Sequence, residues 1–126
     1  MVTFLFRAYP EYARDTFTGW KLAHRNADFT LNVDKVLEAI AEVKPSMVLL
    51  TSPNNPTGKL ANEEFLAKLL DATDALVMVD EAYFEFSRTT MRPYLAMHKN
   101  LLILRTFSKA FSLAGVRMGY ILGNAE

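Results

Sequence analysis

The feature that most restricts this chain is a set of short apolar runs that do not alternate with polar residues: positions 2–6, 47–50, 76–79 and 101–104 are hydrophobic almost from end to end. A strand with one wet face reads apolar-polar-apolar, whereas a strand buried on both faces reads as an unbroken run. Segments of helical period lie between the runs. Val33, Val36, Leu37, Ile40 and Ala41 share one helical face, with Asn32 in the N-cap position and Lys44-Pro45 as the stop. Asn62, the two acidic residues after it, and Phe65, Leu66, Leu69 and Leu70 mark a second helix. Positions 20–24 and 118–122 are further strand candidates, and 94–98 is a short segment after the polar "SRTTMRP" loop. Strands alternating with crossover helices predict an α/β fold, a mostly parallel sheet with helices on both faces.

At 126 residues, half of them hydrophobic, the chain has material for one compact domain and not for two. Fourteen Lys and Arg balance fourteen Asp and Glu, so no global field favours nucleic acid or an anionic membrane, and neither is expected as a partner. Absence of cysteine excludes disulfides and thiolate chemistry and fits a reducing compartment; a cytoplasmic protein is expected. The apolar runs are too short to span a bilayer, and positions 2–6 lack the flanks of a signal peptide. His24 and His98 have no metal-ligand spacing, so no metal site is expected. Neither a P-loop nor G-x-G-x-x-G is present.

In parallel sheets ligands bind beyond the carboxyl ends of the strands. Three consecutive strand ends carry unusual chemistry here: "TSPNNPTG" after Leu50, "DEAYFEF" after Val79 and "RTFSK" after Leu104. Two prolines and a glycine bracket Asn54 and Asn55, which fixes the backbone so that a side-chain amide is aimed; an ordinary turn is the bland alternative. Asp80 follows an apolar strand, where a carboxylate calls for a cationic partner, and Tyr83 is three residues on. The alternative is that Asp80 caps a turn while Glu81 and Glu85 stay solvated. Lys109 sits between an apolar strand and "AFSLAG", an odd place for a merely solvated amine. Thr106, Ser108 and Arg117 supply two hydroxyls and a guanidinium suited to a phosphate dianion, with Gly115 giving the freedom to bring Arg117 back toward Lys109.

One ligand meets these demands together. Pyridoxal 5'-phosphate needs an amine to condense with its aldehyde, a carboxylate to keep its ring nitrogen protonated, donors for its phenolate oxygen, and a phosphate cup.

"SPNNPTG", "DEAYFEF" and "RTFSKAFSLAGVRMGY", in that order, resemble the class I/II pyridoxal-phosphate aminotransferases of fold type I, most closely the histidinol-phosphate aminotransferase branch. The resemblance implies Lys109 as the cofactor-tethering lysine and Asp80 as the ring-nitrogen partner. It implies Asn55 and Tyr83 on the phenolate oxygen, Ser108 and Arg117 on the phosphate with Thr106 nearby, and Tyr12, in "YPEYARDTF", as the ring-stacking aromatic. Ser112 stands where many relatives have glycine. The implied activity is amino-group transfer between an amino acid and a 2-oxo acid or phosphorylated ketone, with glutamate/2-oxoglutarate as the amino partner, in a homodimer. Family chains are much longer, so residues 1–126 are expected to be the central portion of the cofactor-binding large domain, without the N-terminal arm and C-terminal small domain, and weakly active or inactive alone. The alternatives are a related fold type I decarboxylase, or a noncatalytic remnant or regulatory cofactor-binding domain.

Overall fold

The computed structural model describes residues 2–4 and 8–125. One sheet of six strands organises it: β1 (Val2–Phe4), β2 (Lys21–Leu22), β3 (Met47–Thr51), β4 (Leu76–Asp80), β5 (Leu101–Thr106) and β6 (Gly119–Gly123), in the spatial order β2-β1-β3-β4-β5-β6. All neighbours are parallel except β5 and β6, so the expected mostly parallel sheet is the observed one. Leu5 and Phe6, expected to continue the first strand, lie outside the described residues.

The helices follow from local chemistry. Helix α1 (Ala8–Asp15) contains the "YPEY" segment. Helix α2 (Val33–Val43) begins where the Asn32 side chain accepts the Lys35 amide and ends where Lys44 turns left-handed, its N–H donating to the Ile40 carbonyl. Helix α3 (Glu63–Asp71) starts the same way, Asn62 accepting the Glu64 amide, with Glu63 and Glu64 in the first turn where the helix dipole favours negative charge. A single helical turn, α4 (Phe84–Ser87), follows β4, and a 3-10 turn at Arg92–Ala96 occupies the short segment before β5.

The register places Val48 and Leu50 of β3, Val77 and Val79 of β4, and Leu101 and Ile103 of β5 on one face. There they form one buried cluster with Val36 and Ile40 of α2 and Phe65, Leu66, Leu69 and Leu70 of α3. That face is the core. Helix α1 approaches the other side, from which Tyr9 reaches the end of β4. Away from α1 this second face is half-open: Met78, Leu102 and Leu104 are only partly buried, and Ile121, paired with Leu104, is exposed.

Gly119 is required where it stands, because a Cβ there would lie 2.6 Å from the Arg105 carbonyl oxygen and block β6 from its partner. The return from Lys109 to β6 departs from the expected route. Gly115 has no left-handed geometry; the reversals fall at Ser112 (φ 55) and Arg117 (φ 56). Among the described residues no helix is long and apolar enough to cross a membrane.

Candidate active site

Because β3, β4 and β5 are adjacent and parallel, their carboxyl ends open onto one rim. Thr51, Pro53, Asn55, Asp80, Ala82, Tyr83 and Lys109 line a small cleft of about 50 Å³ there. A larger hollow of about 350 Å³ shares its Pro53, Asn55 and Tyr83 and extends over Pro56, Phe86 and Ser87.

The loop after β3 divides its two asparagines. Asn54 is buried and spent on the loop itself: its Oδ1 accepts from the Thr51 hydroxyl at 2.8 Å and its Nδ2 donates to Thr57 Oγ1 at 2.9 Å. Gly58, left-handed at φ 69, closes the turn by donating its N–H to the Asn54 carbonyl. Both the Ser52-Pro53 and Asn55-Pro56 peptides are cis. Asn55 is left pointing outward, and its Nδ2 donates to the Tyr83 hydroxyl oxygen at 3.0 Å. The Lys109 ammonium lies 5.5 Å from the centroid of the Tyr83 ring. Four of the expected residues, Asn55, Asp80, Tyr83 and Lys109, therefore meet in one cleft although they are spread over more than fifty positions of sequence.

Asp80 caps the turn after β4, as in the alternative reading of the sequence. Instead of a cation, Tyr9 donates its hydroxyl to Oδ2 at 2.5 Å and the Ala82 amide donates to Oδ1 at 2.9 Å; among the described residues no ion pair engages this carboxylate. An oxygen acceptor at a strand end can be satisfied by neutral donors without losing its charge. Tyr9 is 5% exposed, and its phenol is pushed far above its ordinary range, first by burial, then by the Asp80 charge and hydrogen bond. Tyr9 was not among the residues singled out from sequence. Tyr9 and Tyr12, three positions apart, share one side of α1 with ring centroids 6.5 Å apart, so spacing does not choose between them; burial does, since Tyr12 is 60% exposed and does not line the cleft.

At the end of β5, the Ser108 amide donates to Thr106 Oγ1 at 3.1 Å and starts the turn that carries Lys109. Arg117 is exposed, and its guanidinium donates to the Ala114 carbonyl at 3.3 Å, outside the residues lining the cleft. The hydroxyl side of the expected phosphate set thus lies beside the lysine; the guanidinium points elsewhere in this structure.

Directly under the rim is an ion pair that sequence reasoning placed wrongly. Glu81, expected in one reading to be solvated, is 1% exposed and pairs with Arg105, which is 9% exposed. Arg105 Nε and Nη2 donate to Glu81 Oε2 at 3.1 and 2.8 Å. The Thr90 hydroxyl donates to the same oxygen at 2.9 Å while accepting from Arg105 Nη2, and the Met91 amide donates to Oε1 at 2.6 Å. The guanidinium lies 3.7 Å over the Phe84 ring. Burial depresses the Arg105 pKa, but the hydrogen bonds and charge of Glu81, helped by Tyr120, outweigh it and the net shift is upward. The missed signal is alternation: residue 81 follows Asp80 and must point to the opposite side of the sheet, into the core.

Residues 3–126 match the family model described as aminotransferase class I and II. Among curated proteins the chain is 56% identical over 131 aligned residues to a histidinol-phosphate aminotransferase of Bifidobacterium longum, covering 92% of this chain and 34% of that protein. Among solved structures it superposes on the histidinol-phosphate aminotransferase of Clostridium acetobutylicum with a TM-score of 0.91 at 21% identity, covering 98% of this chain and 39% of the other, a likeness of fold. It also superposes on the Sinorhizobium meliloti histidinol-phosphate aminotransferase, solved in complex with pyridoxal-5'-phosphate, with a TM-score of 0.84 at 27% identity, covering 98% and 35% of the two chains. The chain spans about a third of the length of the curated relatives it matches.

Proposed function

The chain belongs to the class I and II aminotransferases, and from that premise we propose that it carries the pyridoxal-phosphate centre of a histidinol-phosphate aminotransferase-like enzyme. The observation that carries the proposal is the meeting of an amine, a carboxylate, an amide and a phenol, from Lys109, Asp80, Asn55 and Tyr83, at one cleft on the strand rim. That set supplies the amine, the carboxylate and the phenolate-oxygen donors that the cofactor's chemistry calls for. Residues 1–126 are the central portion of the cofactor-binding large domain in this reading.

When bound, the cofactor supplies an aldehyde for the amine and an electron-accepting ring that stabilises the substrate Cα after its proton leaves. The protein's residues do the rest. Lys109 would tether the cofactor, and its Nζ would take and return the substrate Cα proton. Asp80 would pair with the ring nitrogen and favour its protonated form. The Tyr9 phenol donates to the remaining carboxylate oxygen and keeps Asp80 oriented without neutralising it. Asn55 and Tyr83, already hydrogen-bonded to one another, present donors to the phenolate oxygen. Ser108 and Thr106 would offer hydroxyls to the phosphate, and Arg117 would have to leave the Ala114 carbonyl to join them. Glutamate and 2-oxoglutarate serve as amino partner, within a homodimer.

Incubation with pyridoxal phosphate, borohydride reduction and peptide mapping test the centre. The expected adduct is on Lys109; a folded sample that is unlabelled, or labelled on another lysine, overturns the assignment. Turnover with glutamate and imidazole acetol phosphate tests the substrate.

A further inference from the structure

We propose that the buried Glu81–Arg105 pair is the positioning element of this site, a clamp beneath the sheet that sets the direction of Asp80 and of the Thr106–Lys109 turn above it. The inference rests on the cofactor centre proposed above.

The clamp grips the immediate neighbours of the site residues. Asp80 and Glu81 are consecutive, and so are Arg105 and Thr106; alternation sends Asp80 and Thr106 toward the rim and their neighbours Glu81 and Arg105 into the core. The main chain between them is fixed from both sides. Ser52 N–H donates to the Asp80 carbonyl at 3.0 Å, and Glu81 N–H donates to the Leu104 carbonyl at 2.9 Å. The Asp80 side chain itself is fixed by the Tyr9 hydroxyl and the Ala82 amide, and re-aiming it through the main chain needs a rotation about the strand axis that would swing Glu81 away from its partners. Three side-chain and main-chain groups oppose it: the Arg105 fork, the Thr90 hydroxyl and the Met91 amide.

Stability alone does not account for charge at this position. A buried ion pair gains little over apolar residues of the same shape, because desolvation cancels most of the attraction. A salt bridge with fixed fork geometry does something that an apolar contact does not: it permits one orientation and penalises the others. The Tyr9–Asp80 bond, at 2.5 Å, is the readout of that orientation. Support of this kind from behind the contacting residues is what keeps a site within its working geometry.

The test compares Glu81→Gln, Arg105→Lys and Thr90→Val with the unaltered protein. The proton NMR signal of the Tyr9 hydroxyl, held downfield by its short bond to Asp80, is followed without ligand; pyridoxal phosphate affinity is followed by its absorbance. Glu81→Gln and Arg105→Lys are expected to move the Tyr9 signal upfield and to weaken cofactor binding about ten-fold, because neither replacement restores a charged fork. Thr90→Val, which keeps the pair, gives a smaller shift in the same direction and serves if either of the others fails to fold. A Tyr9 signal that stays in place, with affinity within two-fold, while only the melting temperature falls, overturns the proposal. If the unaltered protein binds no cofactor, the functional reading fails, yet the Tyr9 signal still decides whether the clamp orients Asp80.

Discussion

On the face of β4 and β5 turned toward α2 and α3, Val77, Val79, Leu101 and Ile103 are fully buried, and the charges that follow them, Glu81 and Arg105, have every strong partner they need. On the opposite face of the same strands, Met78, Leu102 and Leu104 are half-exposed, and β4 ends in Asp80 at an open cleft that Lys109, three residues past the end of β5, also lines. Residues one position apart thus face opposite demands. The covered face holds the fold together; the open one has its groups held in place from beneath and keeps donors and acceptors available. Pairing a saturated layer with a layer free to bind lets a site stay rigid without being filled.

The largest test of this contrast is Glu81→Ala. It strands a buried guanidinium and is expected to cost about 3–5 kcal/mol in urea unfolding; a loss below about 1 kcal/mol would mean that Arg105 finds water and that the two faces are less different than their burial says. Next, Ile103→Ala and Leu104→Ala compare neighbours on the two faces. The first should cost about 3 kcal/mol and the second about 1 kcal/mol, since cavity and transfer penalties scale with what is buried; equal losses would erase the comparison.

Tyr9→Phe removes the hydroxyl that reaches Asp80 and should cost about 1.5 kcal/mol at neutral pH, as for a hydrogen bond to a charged acceptor. Its pH signature is sharper. The folded phenol is held well above the ordinary value, so its contribution is complete below the unfolded pKa of about 10 and is lost progressively as the pH rises past that point. Stability measured at rising alkaline pH should fall steeply in the unaltered protein and less steeply in Tyr9→Phe. The smallest effect belongs to Lys109→Ala: its side chain is exposed, so stability should stay within about 0.5 kcal/mol, while borohydride labelling disappears. A large stability loss there would make the lysine a structural residue.

Periodicity and composition alone determined the parallel α/β sheet, the caps at Asn32 and Asn62 and the three chemically loaded strand ends, because unbroken apolar runs, helix-face spacing and capping are local rules that act within a few residues. Local rules left the two asparagines of "SPNNPTG" equivalent. Tertiary structure separated them, burying Asn54 in its own loop and aiming Asn55 at Tyr83. The same holds for the partner of Asp80, a tyrosine 71 positions away, and for Glu81, whose fate depends on Arg105 arriving on the next strand. Each of these is a choice among chemically adequate partners, and only the packing of distant segments into one volume, where an unpaired group is costly, makes it.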